Sequence, residues 1–271
     1  MVEPQVQTNR SVINQSIDDA LLFFGNRFPI PPRFHWGLEK WASEYDMDPS
    51  IAMEASRRGI GPDWTNFGFD FHQYGGVLLT MTNVNPDAPG LSYSMKLIYR
   101  RGEDEFCQKA PIHLHMGKME DIYCLGPGFV VIRMWPSANG EMMHPDSMEI
   151  LLDHKYRHYV PGEPLELREG HILQVSPGTY PCFEAHGKVG VMEISGVNDD
   201  LTDNHWFTGS EYWVVEGGVW RPKPYELAGQ EVHRFPGIIE DEMPRYLLCW
   251  ELPGTPQGIE RFNQLREIYK V

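Results

Sequence analysis

From about residue 75 onward the chain is a series of short β-prone runs, and this pattern constrains the fold more than any other feature. The runs "GGVLLTMTN", "SYSMKLIYR", "PIHLHM", "EDIYCL", "FVVIRMW", "MEILLDHK", "HILQV" and "KVGVMEIS" are punctuated by Gly, Pro and Asn at short intervals. Many short strands separated by turn signals build a β-sandwich or a barrel. The two ends read as helix. Ile13, Ile17, Leu21 and Phe24 share one apolar face, with Asn9 or Ser11 as the cap, and the prolines of "FPIPPRFHW" end the run. In "DPSIAMEASRRG", Asp48 can cap a second short helix, Pro49 fits its first turn and Gly59 can end it. Near the C-terminus Thr255 and Pro256 open a helix with Ile259, Phe262 and Leu265 as its stripe.

No linker interrupts this order; "NVNPDAPG" and "MWPSANGEMMHPDS" read as surface loops. The expectation is one domain over 1–271, mainly β, with a helical extension over 1–60, a barrel core over 75–252 and a C-terminal helix over 255–271. The 271 residues suffice to bury a sizeable core, and 12% aromatic content argues against disorder. A formal net charge of -15 disfavours nucleic acid and anionic membrane, and suits small polar ligands. Cys107, Cys124, Cys182 and Cys249 are scattered without CxxC spacing, so neither a disulfide framework nor a structural zinc site is expected. "MVEPQVQTNR" has no apolar core of a signal peptide, and apolar runs such as 129–132 are too short to span a bilayer. The expected location is the cytoplasm.

The chemistry concentrates in "HLHMGKMED", residues 113–121. On a strand, His113 and His115 point to one face. "MGK" makes a turn, and Glu120 returns on the next strand. Two neutral imidazoles and a carboxylate suit Mn²⁺, Fe²⁺, Co²⁺, Ni²⁺ or Zn²⁺.

That stretch, with Gly126 and Gly128 following at a turn, resembles the first motif of the cupins. The resemblance is closer to the D-lyxose isomerase family of cupin sugar isomerases. It extends over "DWTNFGFDFHQYGGVLLTMTN", "KMEDI", "SGVNDDLTDNHWF" and "IIEDEMPRYLLCWEL", most of the chain. It implies a cupin barrel (a double-stranded β-helix, or jelly roll) with helical extensions. It also implies aldose–ketose interconversion on a free sugar such as D-lyxose and D-xylulose, a divalent metal that is commonly Mn²⁺, and a homodimer. A metal polarises sugar oxygens, and a positioned base moves a proton between C1 and C2 through an enediol.

Three departures stand against the match. The family's fourth ligand is a histidine after a Pro-Gly-x-Tyr turn; in "SPGTYPCFEAHGK" its place falls on Pro181. His186 is the candidate replacement, provided the strand register shifts; Cys182 should face opposite to 181. Met95 stands where the family has an acidic residue before the lysine, here Lys96. Insertions around 101–109 and 142–159 enlarge the barrel. These departures keep two alternatives open: a cupin epimerase or lyase on a related carbohydrate, and a non-catalytic sugar-binding cupin.

The resemblance places Lys118 near the metal, acting on a sugar oxygen. Glu193, sharing a strand face with Val191, is the candidate base; both residues also fit solvated positions. Asp200 and Arg234 are the substrate-binding candidates, with Asp199 and Asp203 beside the first. Glu240, Asp241 and Glu242 read as a solvated acidic turn. Trp206, Trp213 and Trp220 suit sugar stacking or core packing.

Overall fold

The computed structural model describes residues 7–66, 71–83, 93–138, 141–143, 145–196, 204–206, 213–216, 219–222 and 237–271. Helix α1 (Arg10–Gly25) buries Ile13, Ile17, Leu21 and Phe24 as their spacing predicts. Its cap is Asn9, whose side chain makes no capping bond. A remote carboxylate serves instead: Asp241 accepts from Ser11 N at 2.9 Å and from the Ser11 hydroxyl at 2.6 Å. Helix α2 (Leu38–Met47) adds an element that the spacing above does not announce. In α3 (Pro49–Arg57) Asp48 caps Ser50 N, and Gly59 leaves the helix at φ +58°. In α4 (Pro256–Tyr269) the Thr255 hydroxyl accepts from Gly258 N at 3.0 Å. Phe262 and Leu265 are buried but Ile259 is exposed, so the expected stripe loses a member. Gly258 takes the inward place, where an added Cβ would lie 2.2 Å from the Leu252 carbonyl oxygen.

The rest is antiparallel sheet. Its strands are β2 (Gly61–Thr65), β3 (Gly76–Thr82), β4 (Ser94–Gly102), β7 (Glu120–Ala138), β9 (Met148–Leu152), β10 (Lys155–Tyr159), β12 (Ile172–Val175) and β13 (Thr179–Ser195). They run in the order β10-β9-β12-β7-β13-β4-β3-β2. Off this path lie β5 (Lys109–Ala110), β8 (Glu141–Met143), β11 (Leu165–Leu167) and the hairpin of β15 (Trp213–Glu216) and β16 (Val219–Pro222). Strand β6 (His113–His115) pairs with β14 (Asn204–Trp206), and β1 (Thr8–Asn9) pairs in parallel with β17 (Ile238–Ile239). The sheet therefore starts at Gly61, ahead of the β texture in the sequence.

Ile98 of β4, Ile122 of β7, Ile150 of β9, Leu173 of β12 and Val191 of β13 share one buried cluster. Strands far apart in the sheet order thus meet around a common interior, the barrel that the cupin resemblance implies. The opposite face of β3 and β4, through Val77, Leu79, Leu97 and Tyr99, packs on α1. The longest ladder joins β7 to β13, from Thr179↔Pro136 to Ser195↔Glu120. No helix among the described residues is long and apolar enough to cross a membrane.

The acidic turn at 240–242 is not simply solvated. Arg10, fully buried, donates from Nε to Glu240 Oε2 and from Nη1 to Glu251 Oε2, both at 3.0 Å. Arg261 of α4 reaches the same two carboxylates. Asn14 donates to the Met243 carbonyl at 3.0 Å and accepts from Arg245 N at 3.0 Å. Two arginines facing two carboxylates form a neutral clamp between α1, the turn and α4.

Arg10→Met should destabilise the fold by about 3–5 kcal/mol, the usual cost of removing one partner from a buried ion pair; denaturant unfolding measures it. Burial alone would raise the Glu251 carboxyl, but Arg10 and Arg261 hold it below its ordinary value of 4.5. The clamp's contribution is therefore full above that value and is lost as pH falls through the depressed one. Acid unfolding of Arg10→Met should start from a lower plateau and lose less stability in that window.

Candidate metal centre and active site

The local sequence of β6 explains its orientation. Leu114 is buried against Met142 and Tyr180, which turns His113 and His115 to the opposite face, where both are buried. Gly178 N donates to the His115 carbonyl at 2.8 Å and fixes the strand end. The two imidazole centroids lie 5.1 Å apart at 87°. Nδ1 of His113 lies 2.8 Å from the Pro111 carbonyl oxygen. A carbonyl only accepts, so Nδ1 carries the proton and the Nε2 lone pair is left to ligate.

The turn after β6 exposes Met116 and Met119 and buries the lysine between them. Lys118 Nζ lies 2.6 Å from Glu120 Oε1 and 2.7 Å from Glu193 Oε1. Glu193 comes from β13, opposite Lys96 of β4 in the ladder, and Lys96 Nζ is 3.9 Å from Glu193 Oε1. The Ser195 hydroxyl donates to the same oxygen at 3.1 Å. Lys118 is thus no exposed turn residue and Glu193 no solvated one. Lys96 and Ser195 are members that the reading of the sequence missed. The signal for Lys96 was available: opposite charges, "MKL" and "MEI", on two strands that pair.

Two of the donors, His113 and Glu120, stand in ligand form. Burial, and then the neighbouring His115 ring, push His113 down to about 3, so it is neutral at pH 7. Burial alone would raise Glu120, but the Lys118 ammonium and the His115 ring hold it well below the usual carboxylate range. Burial also opposes ionisation of Glu193, and Lys118 followed by Lys96 outweighs it. Burial would lower Lys118, and the two carboxylates raise it instead. Ligating atoms of His113, His115 and Glu120 all lie within 4.8 Å of one another. With metal–ligand bonds of about 2.0–2.2 Å, small side-chain movements suffice to collect them on one ion. The neutral His113 imidazole and the ionised Glu120 carboxylate are forms that a divalent cation binds.

The fourth-ligand candidate is not brought to this group. The β13–β7 ladder runs through Pro181↔Met134 to His186↔Phe129 without a shift; the irregularities lie beyond His186. Five residues in unbroken register put His186 on the opposite face from Pro181. Its ring stacks on Phe129 with centroids 4.8 Å apart, and its Nε2 is 3.3 Å from Glu184 Oε1. Pro181 leaves the strand intact. Met95 faces Ile194 on the outside of the pair, away from the cluster, so that departure does not touch the site. Asp199, Asp200, Asp203 and Arg234 lie outside the described residues. Trp206 is opposite His113 in the β14–β6 ladder, whereas Trp213 and Trp220 lie in the β15–β16 hairpin.

A family model described as D-lyxose isomerase matches residues 8–214. A D-lyxose/D-mannose isomerase of Serratia proteamaculans is 28% identical over 249 residues, covering 89% of this chain and 96% of that protein. The enzyme of the same name from Escherichia coli O157:H7 is 28% identical over 251 residues, 89% and 97% of the two chains. The L-ribose isomerase of Geodermatophilus obscurus superposes with a TM-score of 0.47 at 14% identity, covering 76% of this chain and 95% of that one.

Lys118→Met should destabilise the protein by about 3–5 kcal/mol, since two buried carboxylates would lose their shared cation. His186→Ala should leave both stability and metal uptake as they are. Denaturant titration and metal analysis of the two variants check both statements.

Proposed function

The chain belongs to the D-lyxose isomerase family, and from that premise we propose that it interconverts D-lyxose and D-xylulose at the His113–His115–Glu120 site with a bound divalent cation. The observation that carries this reading is the contact of three metal-type donors with a buried Lys118–Glu193 pair. Mn²⁺ is the ion proposed, with Zn²⁺, Co²⁺, Ni²⁺ and Fe²⁺ as the alternatives that the donors accept. When bound, it supplies Lewis-acid polarisation of the sugar's carbonyl and hydroxyl oxygens.

The chain's own groups do the rest. Lys118, Ser195 and Lys96 all approach Glu193 through Oε1. The other oxygen, Oε2, is the atom proposed to take the C2 proton of the aldose and return it at C1. Lys118 Nζ is proposed to donate to a sugar oxygen. Burial of the whole group keeps bulk water from the exchanging proton. D-Mannose, which has the configuration of D-lyxose from C2 to C4, is the second substrate proposed. Asp200 and Arg234 complete the proposal as sugar-binding residues, together with a homodimeric, cytoplasmic protein.

An aldose panel with and without Mn²⁺ tests this. Ketose should form from D-lyxose, vanish after chelation and return with Mn²⁺. No ketose from any pentose or hexose under metal saturation would overturn the reading. His113→Ala should lose the ion. Glu193→Gln should keep the ion and lower kcat by about 10²–10⁴, the range typical of a lost general base.

A further inference from the structure

We propose that the ion is held by two imidazoles and one carboxylate, with no ligand from β13, and that the Phe183 ring closes that side of the site. This rests on the metal reading above and goes beyond it by assigning what stands in the place of the family's fourth histidine.

The inward series of β13 is Thr179, Pro181, Phe183 and Ala185, all buried, alternating with the partly exposed Cys182, Glu184 and His186. None of the inward four offers an imidazole, a thiolate or a carboxylate. Phe183 meets the first of the two histidines: its ring centroid lies 5.9 Å from that of His113, tilted by 34°. The outward three are separated from the group by the strand itself. Unbroken register from Pro181 to His186 leaves no bulge to rotate one of them inward. Burial also pushes the Cys182 thiol up to about 11, away from the thiolate form that binds metal.

The remaining donor on β13 is Glu193, and its place is taken. The Lys118 ammonium lies between Glu193 Oε1 at 2.7 Å and Glu120 Oε1 at 2.6 Å, and Glu193 does not belong to the group of mutually close donors. An ion seated on His113, His115 and Glu120 thus has an apolar ring toward β13 and an ammonium toward Glu193. Among the described residues no further donor joins these three, so the ion's other positions would be open to water and to sugar oxygens. Two hydroxyls of an open-chain sugar then bind without displacing any protein ligand, and the ion is held less tightly than in a four-ligand site.

The test uses the full chain loaded with Co²⁺ or Mn²⁺. X-ray absorption should count two imidazoles on the ion. Competition against a chromophoric chelator should show tighter binding in Phe183→His or, should that variant fold poorly, in Pro181→His. Outer-shell partners alone change metal affinity about 10–100-fold, so an added ligand should gain at least about tenfold. A third imidazole in the unmodified protein, or folded histidine variants with unchanged affinity, overturns the inference while leaving the metal reading standing. A chain that takes up no ion at all overturns both.

Discussion

A lysine buried to 5% exposure needs anions around it, and the two that Lys118 meets among the described residues come from different strands. Glu120 opens β7, and Glu193 lies near the end of β13, where the ladder pairs Glu193↔Ile122 and Ser195↔Glu120. A one-residue slip of β13 would turn Glu193 to the outside and take one of these anions from the ammonium. The charge cluster therefore specifies register at the end of the ladder where the site is built. Catalytic geometry and strand pairing are one constraint here.

The same cluster sets the sign of the site. Among the described residues Lys96 and Lys118 balance Glu120 and Glu193, so a divalent cation bound beside them would leave a positive excess in a region of low dielectric. Moving a proton from C2 to C1 puts negative charge on the sugar on the way, and a fixed positive surplus favours that state over the neutral aldose.

Much of this was legible in the sequence because it depends on local chemistry. Asp48–Pro49 and Thr255–Pro256 mark helix starts by capping alone, and the structure uses both caps. The spacing in "HLHMGKMED" brings His113, His115 and Glu120 together because β6, its turn and β7 are contiguous. What sequence reading missed depends on pairing between distant segments. Lys96 acquires its role only when β4 lies beside β13. Glu240 leaves the category of solvated turns only when Arg10 and Arg261 converge on it. His186 stays apart from the donor group because bringing it in required a bulge before it, and the irregularities fall after it.

The helical extension belongs to the site as well as to the fold. Gly190 of β13 pairs with Tyr99 of β4, and both face α1. A Cβ at 190 would lie 2.3 Å from Phe23 Cε1 and 2.8 Å from Phe24 Cε1, so only glycine lets the two rings lie against the strand. Phe23 in turn packs on Tyr99 with centroids 5.2 Å apart. Three residues further along the strand, on the other face, is Glu193. The sheet that aims Glu193 into the barrel is thus backed by α1 from outside, and the first residue of α1, Arg10, is fixed by Glu240 and Glu251. The buried Arg10–Glu251 pair and Glu193 are in this way connected through one helix and two strands.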